Sequence, residues 1–425
     1  MEKTKKLNVI FESRIPAVRS TGEDDVTARK GRGWEFFAIA TIPLVLVLGN
    51  SMLIPILPDL EQSLKISHFQ SSLVITTFSV TAGLFIPVLG LLSDRWSRKA
   101  IILPSLIIYG AAGILAGFAA IWKTYWLLIV ARAIQGMAAA GTAPIAMALV
   151  GDMYKGATES KALGLTEASN GTGKVLSPII GSLLALIVWY AVFFAFPVFC
   201  LISILAVIFF IREPEKETQP PPLKKYARSV WNVFRKKGRW LFTSFFAGAL
   251  ALFTLFGILF YLSDILEKAP YRIDGVVKGL VLAIPLLGMV ATSYIAGSVI
   301  KKSGLIIRRV MISGLTLSSL ALLLTIIFNE NIYIFIGLLT LSSIGTGMLL
   351  PCLNTMITGS VSKGERGMVT SLYSSLRFFG VALGPPIIGW LMGISERTVF
   401  ITITVLSWIT LLLVFFLIKP DKKIA

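Results

Sequence analysis

Apolar runs of about twenty residues recur along this chain, each bounded by charges or turn residues. At 1.5 Å per helical residue, such a run is long enough to cross a bilayer core of about 30 Å. The runs lie at 35–57, 70–92, 100–121, 125–150, 162–188, 191–211, 240–263, 276–300, 310–328, 331–357, 368–391 and 398–418. Inside a bilayer the backbone N–H and C=O groups have no water to bond, so each run must satisfy them internally. The runs are continuous rather than alternating, which excludes barrel strands and predicts helices. Of 425 residues, 55% are hydrophobic and 15% charged, with a mean hydropathy of +0.81. A soluble enzyme does not tolerate that balance. The expected fold is an all-α membrane protein of 12 transmembrane helices.

Charge then sets the topology. The chain carries 40 Lys+Arg against 22 Asp+Glu, a net charge of +18. With both termini placed on the cytoplasmic side, the basic residues concentrate overwhelmingly on cytoplasmic segments, as the positive-inside bias requires. The excess charge is therefore expected to meet anionic inner-leaflet lipid. Nucleic acid is not expected as a partner, since no RNA- or DNA-binding module is visible. The segments expected are a polar tail at 1–34, a bundle at 35–211, a linker at 212–239, a second bundle at 240–418 and a short tail at 419–425. The first tail reads as disordered and uncleaved, because it has no apolar core of signal-peptide type. The linker holds the Pro220–Pro222 triplet and a possible amphipathic stretch around Trp231 and Phe234. Cys200 and Cys352 fall in apolar runs and form neither a disulfide framework nor a metal-ligand spacing. The lone histidine, His68, reads as a solvated helix-end residue, with a proton relay as the alternative.

The chain also repeats. Gly90 and Gly297, Pro144 and Pro351, Gly173 and Gly380, and Pro178 and Pro385 all stand 207 positions apart. One constant offset at four sites predicts two pseudo-symmetric six-helix bundles. Parallel repeats of this kind place a substrate site near the midplane between halves that rock against each other. That architecture is a transporter's.

Ionisable residues inside a span are costly to bury and mark pathways. Arg132 lies well inside the fourth span with Gln135 and Gly136 one turn on; the alternative is snorkelling to an interface. Glu167 and Lys174 stand seven residues apart in the fifth span, on nearly one helical face. Glu167 is the acid placed clearly within a span and so the leading proton carrier. Lys174 reads as a substrate contact, or the two form a structural pair with each other, as Glu167 could with Arg132. Arg377 opens the eleventh span, lining the cavity or capping its end. Asn50, Asn354 and Tyr261 are further polar cavity candidates. In the loop Gly90–Lys99, Asp94 is an acid among Arg95, Arg98 and Lys99, either a breakable latch or an ordinary charged loop.

These residues resemble the major facilitator superfamily, in particular its twelve-span drug/proton antiporter branch, over essentially the whole membrane region. Gly90–Lys99 is similar to the loop motif G-x-L-x-D-R-x-G-R-K, with Ser97 at the second glycine. Leu128–Ala140 fits L-x-x-x-R-x-x-Q-G-x-x-A-A, and Pro55 to Pro58 resembles the proline pair ending span one. Gly173–Gly181 is similar to G-x-x-x-G-P-x-x-G, with Ser177 at the central glycine. The resemblance implies the major facilitator fold, Asp94 as conformational latch with Gly90, Arg95 and Arg98, Arg132 in proton coupling, and Gly173, Pro178 and Gly181 as the bend associated with export. It does not supply the proton site, because the acid that many relatives carry in span one or four is missing here. Lys174 also departs from a cationic-drug exporter, since a fixed positive charge repels lipophilic cations.

The expected function is proton-coupled export of small amphipathic molecules such as drugs. The alternative is dedicated export of an anionic or catecholate metabolite such as a siderophore. No cofactor or metal is expected; the expected partners are a small-molecule substrate, protons and membrane lipid, with the chain a monomer in the cell membrane. No nucleophile elbow, phosphate loop or nucleotide-binding domain is present in the sequence, so the energy would come from an ion gradient.

Overall fold

The computed structural model describes residues 22–154, 157–213, 223–300, 303–328, 330–359 and 363–419. Residues 1–21 of the expected N-terminal tail, the Pro220–Pro222 triplet and 420–425 lie outside them, as do the side chains of Trp231 and Phe234. The described chain is helical, with no strand element among the described residues. Its helices are α1 (Gly22–Ser51), α2 (Leu57–Leu64), α3 (His68–Arg95), α4 (Arg98–Ile121), α5 (Tyr125–Ala139), α6 (Ala143–Met153), α7 (Ala157–Ala185), α8 (Ala191–Phe210), α9 (Leu223–Glu267), α10 (Gly275–Ile300), α11 (Gly304–Thr325), α12 (Ile332–Gly359), α13 (Lys363–Met392) and α14 (Glu396–Leu417).

Proline explains where helices depart from the expected runs. Pro55 and Pro58 have no N–H to donate, and between α1 and α2 the chain tightens into a 3-10 turn at Ile54–Ile56. The first crossing therefore continues to Leu64 rather than stopping at 57. Pro144 sits in the first turn of α6, a position that tolerates proline, so the fourth crossing is split at Gly141–Thr142 into α5 and α6. Its repeat mate Pro351 lies inside the unbroken α12. The seventh crossing belongs to a 45-residue helix, α9, which takes up the second part of the expected linker and runs past 263 to include Asp264 and Glu267. Among the described residues, eleven helical stretches are long and apolar enough to cross a membrane. The other long helix, α7, carries Glu167 and Lys174 in the position of the fifth crossing.

Two apolar cores form, one for each half. The first gathers Phe78, Tyr109, Phe193 and Phe196, and the second Phe245, Phe256, Tyr261, Phe335 and Phe400. Between the halves, α3 packs on α13 and α7 on α10. Thr76 donates to Ala382 O at 2.6 Å and Ser375 to Gly83 O at 2.5 Å across this seam. The start of α1 meets the ends of α6 and α8, through Tyr154 donating to Glu35 at 2.6 Å and Trp34 stacking on Phe210 at 5.0 Å. This end of the bundle is called the terminal end below. His68 and Glu267 lie at the other end.

Glycines let the same pair of helices close in each half, at positions that are not repeat mates. A Cβ on Gly181 would stand 2.3 Å from Met52 O, so α7 can approach the end of α1 closely only with glycine there. In the second half, a Cβ on Gly380 would stand 2.0 Å from Ala249 O, bringing α13 against α9 in the same manner. Gly297 has nothing within 4 Å of such a Cβ. Overpacking a helix contact costs about 1–3 kcal/mol, whereas alanine for glycine in open helix gains about 0.5–1 kcal/mol. Thermal unfolding in detergent is therefore expected to show Gly181→Ala and Gly380→Ala melting below the parent and Gly297→Ala melting at or above it.

Candidate functional site

Arg132 is fully buried in α5. Its Nε donates to Val74 O at 3.0 Å, Nη1 to Gly49 O at 3.1 Å and to Gln135 Oε1 at 2.5 Å, and Nη2 to Asn50 Oδ1 at 3.2 Å. The guanidinium carbon also lies 4.4 Å from the Phe78 ring centroid. Three helices, α1, α3 and α5, thus close on one charge. Close approach makes this reach possible, since a Cβ on Gly136 would fall 2.1 Å from Phe78 O. Neither snorkelling nor a Glu167 partner is observed: the hydrogen-bond acceptors are neutral, and two are backbone carbonyls. Asn50 and Gln135, expected to face the cavity, are instead buried with their oxygens on Arg132; Asn50 also donates to Ser79 at 3.2 Å, and Gln135 Nε2 is left without a partner.

The loop motif assembles at the terminal end. Arg98 Nη1 lies 2.5 Å from Asp94 Oδ1 and donates to Ser93 Oγ, while Nε meets Asp152 Oδ2 at 2.8 Å on the end of α6. Arg95 is exposed. Gly90 faces α13, where a Cβ would stand 3.2 Å from Ser371 Oγ. Ser97, the departure from the motif, is the N-cap of α4: its Oγ accepts from Ala100 N at 3.1 Å and donates to Glu213 at 2.5 Å. Glu213 also accepts from Arg98 N and Lys99 N, and Lys99 Nζ donates in return to Ile208 O and Ile211 O at the end of α8. Neither Asp152 nor Glu213 is marked by the sequence, because each pairs at long range from a loop edge. The second departure, Ser177, is buried and donates to Gly173 O at 2.5 Å, so its hydroxyl is satisfied within α7. Around it Gly173 and Gly181 pack on α1, and α7 runs unbroken through Pro178.

At the seam, Lys174 of α7 interacts electrostatically with Glu167 on its own helix and with Arg377 of α13 in the other half. Arg377 lies deep in the span Gly367–Met392 rather than opening it, so it does not cap an end. Its carbon sits 5.5 Å from the Tyr373 ring centroid. Arg377 Nε, the Tyr373 hydroxyl and Asn170 Oδ1 are all buried without a hydrogen-bond partner. Glu167 is exposed and Lys174 half-buried. Lys174 and Arg377 thus bring two cations together between the halves, on helices that also carry the unspent Tyr373 hydroxyl and Asn170 Oδ1, and burying such groups has a cost that an anionic, hydroxyl-bearing ligand would offset.

Other expectations fall elsewhere. Tyr261 is buried against Phe335 and Phe400, with ring centroids 5.9 and 5.1 Å away, and its hydroxyl donates to Glu396. It belongs to the core of its half rather than to the seam. Asn354 is half-buried in α12. His68 is not a freely solvated helix end, since it contacts Glu61 and Asp264. Glu167 is not the sole spanning acid, because α9 carries Asp264 and Glu267. No group of three or more His, Cys, Asp or Glu able to hold a metal occurs among the described residues.

The sequence profile of the Major Facilitator Superfamily matches residues 39–274 and 265–425. The chain is 43% identical over 390 residues to the bacillibactin exporter of Bacillus subtilis, covering 91% of this chain and 96% of that one. It is 27% identical to the class C tetracycline resistance protein of Escherichia coli, covering 83% and 88% of the two chains. Among solved structures, the human organic anion transporter MFSD10 superposes with a TM-score of 0.69 at 18% identity, covering 90% of this chain and 99% of that one. A bacterial homologue of the lysosomal transporter Spinster, inward-facing and occupied, gives 0.71 at 16% identity, covering 90% and 96%. At those identities the two structures speak for the fold alone.

Since Arg132 is held by neutral partners, replacing it strands them in a dry core. Arg132→Ala is expected to abolish transport in proteoliposomes. Arg132→Lys, which keeps the charge but lacks the planar fork, should fall at least about 10-fold. Both rates are to be normalised to folded protein measured by size-exclusion chromatography.

Proposed function

Because this chain belongs to the major facilitator superfamily, and is thus a membrane transporter of small molecules rather than an enzyme, we propose that it exports an organic anion bearing catechol-type hydroxyls, of the siderophore class. The observation that carries this reading is the facing pair Lys174 and Arg377, one cation from each half, beside the unspent Tyr373 hydroxyl and Asn170 Oδ1. A carboxylate or catecholate would neutralise the pair, and its hydroxyls match the free donors and acceptors. The 43% relative named as a bacillibactin exporter supports the same class. Dedicated export thus moves ahead of the broad drug reading, which the more distant resistance proteins support.

Export works by alternating access in this proposal, driven by protons. Glu167 is the proton carrier: exposed on α7 and coupled to Lys174, it competes with the substrate for the same cation. A protonated Glu167 leaves Lys174 to the anion, and an ionised one displaces it. Arg132 keeps its proton throughout and acts as a positioning residue that holds α1, α3 and α5 as one body during rocking. Asp94, Arg98 and Asp152 tie the loop after α3 to α6, so that the terminal end of this half moves as a unit. The protein acts in the cell membrane with both termini cytoplasmic, as a monomer, and the basic loops face anionic lipid.

The experiment is efflux from energised cells of a catecholate siderophore and of a lipophilic cationic dye, with and without a protonophore. Siderophore efflux should be abolished by the protonophore. In Lys174→Ala and Arg377→Gln it should fall about 10-fold or more, because a charge-assisted contact contributes about 1.5–3 kcal/mol. Glu167→Gln should remove the dependence on the proton gradient. Protonophore-sensitive dye efflux that survives Lys174→Ala would return the drug reading to first place.

A further inference from the structure

At the end of the bundle opposite the termini, the two halves meet around one imidazole. His68 opens α3, and its Nδ1 lies 2.6 Å from Glu61 Oε2 on α2, in its own half. Its Nε2 lies 2.8 Å from Asp264 Oδ1 on α9, in the other half. The second contact is an ion-pair approach rather than an aligned hydrogen bond. Glu61 is held in place by Ser71, which donates to its Oε1 at 2.5 Å, and Asp264 by Lys268 at 2.6 Å. The Phe260 ring of α9 covers the imidazole at 5.6 Å between centroids. Close by, Ser263 donates to Ile54 O at 3.0 Å across the same seam, and a Cβ on Gly279 of α10 would stand 2.6 Å from Pro178 O on α7. This end is shut.

A neutral imidazole has one N–H and one bare nitrogen. With a carboxylate oxygen within 2.8 Å of each nitrogen, either tautomer sets a lone pair against an anion. The imidazolium carries an N–H on each nitrogen and sets positive charge against both carboxylates. We infer that His68 is a proton-operated lock joining the halves at this end, closed when the ring is charged and released when it is neutral.

The consequence for the transport cycle follows from which half holds each partner. When this end opens, Asp264 departs with α9 while Glu61 stays with His68. The ring then loses one of the two anions that favour its charge. Closing therefore takes up a proton and opening gives one back, so the closed state is favoured as the pH falls and loses its advantage as the pH rises. The surrounding charges do not supply an alternative switch by direct contact. Lys268 is spent on Asp264, Lys278 of α10 pairs with Glu267 of α9, and Asp59 of α2 senses Lys278 and Asp274 rather than His68. His68 is partly open to water, with 28% of its side chain exposed, so protons can reach it from that side. This lock differs from the Asp94–Arg98–Asp152 cluster in chemistry, in position and in joining the halves directly.

The test needs no substrate, so it stands apart from the identity of the transported anion. Spin labels on Gln62→Cys and Arg272→Cys, both exposed at this end, report its width by distance measurements in lipid nanodiscs; Cys200 and Cys352 are buried. Between about pH 5 and about pH 9, spanning the ordinary imidazole range near 6.5, the short-distance population of the parent should fall as the pH rises. His68→Gln, which cannot be charged, should stay at the open-leaning limit throughout. His68→Lys, which keeps its charge, should stay at the closed limit, and Asp264→Asn should lose the shift while keeping Glu61. His68→Gln or His68→Lys retaining the parent's pH shift would overturn the lock, as would a parent with no shift at all. The opposite limits expected of Gln and Lys separate a lock from a variant that has merely misfolded.

Discussion

A bilayer gives a polar group no water to fall back on, and the placement of every charge in this chain follows from that constraint. Arg132 meets it with fixed partners: one carbonyl where α1 ends, one from the first turns of α3, and two side-chain amide oxygens. Such a charge has no reason to move, and its satisfaction welds three helices together. Lys174 and Arg377 meet the same constraint differently. They sit on helices that meet across a seam and leave polar atoms unspent, and Lys174 interacts with an acid at the edge of solvent. The first arrangement gives every nitrogen of its guanidinium a neutral acceptor, whereas the second leaves Arg377 Nε without one.

Glycine and hydroxyl residues build the frame around these charges. Close approach at Gly136, Gly181 and Gly380 lets glycine backbone lie directly against the backbone of a neighbouring element. Small hydroxyls then stitch helices without adding charge, as Ser375 and Thr76 do across the seam. Apart from the His68–Asp264 contact, the bonds named across the seam are single neutral hydrogen bonds, each contributing on the order of 1 kcal/mol. An interface so made can part and close again, whereas the interior of each half, packed with large side chains in two separate cores, stays rigid.

Most of the fold was legible because hydropathy is a local property. Runs of apolar residues, the constant offset of the repeat and the costly Arg132 all report on their own segment, and the family motifs do the same. What escaped depends on contacts between distant segments or on exact helix ends. Stopping the seventh run at 263 left Asp264 outside the membrane region, although α9 carries it on, and that hid the partner of His68. Arg377 was placed at the opening of its span because the apolar run starts late, while the helix begins at Lys363. Tyr261 looked like a cavity residue by type alone, and two phenylalanines far along the chain decide otherwise.

The two ends of the bundle use different chemistry because they face different demands. At the terminal end, Arg98 is fixed by Asp94, Ser93 and Asp152, all within the first half, and Glu213 closes the N-terminus of α4. Those bonds lie within one half, and Gly90 beside them faces α13 of the other. At the opposite end, one ion pair, His68 with Asp264, reaches across the halves, and its base is the one side chain whose ordinary charge changes near neutral pH. A permanent arginine there would hold that end shut at every pH, and a neutral amide would never lock it. Histidine between two carboxylates is the choice that lets closure follow proton supply.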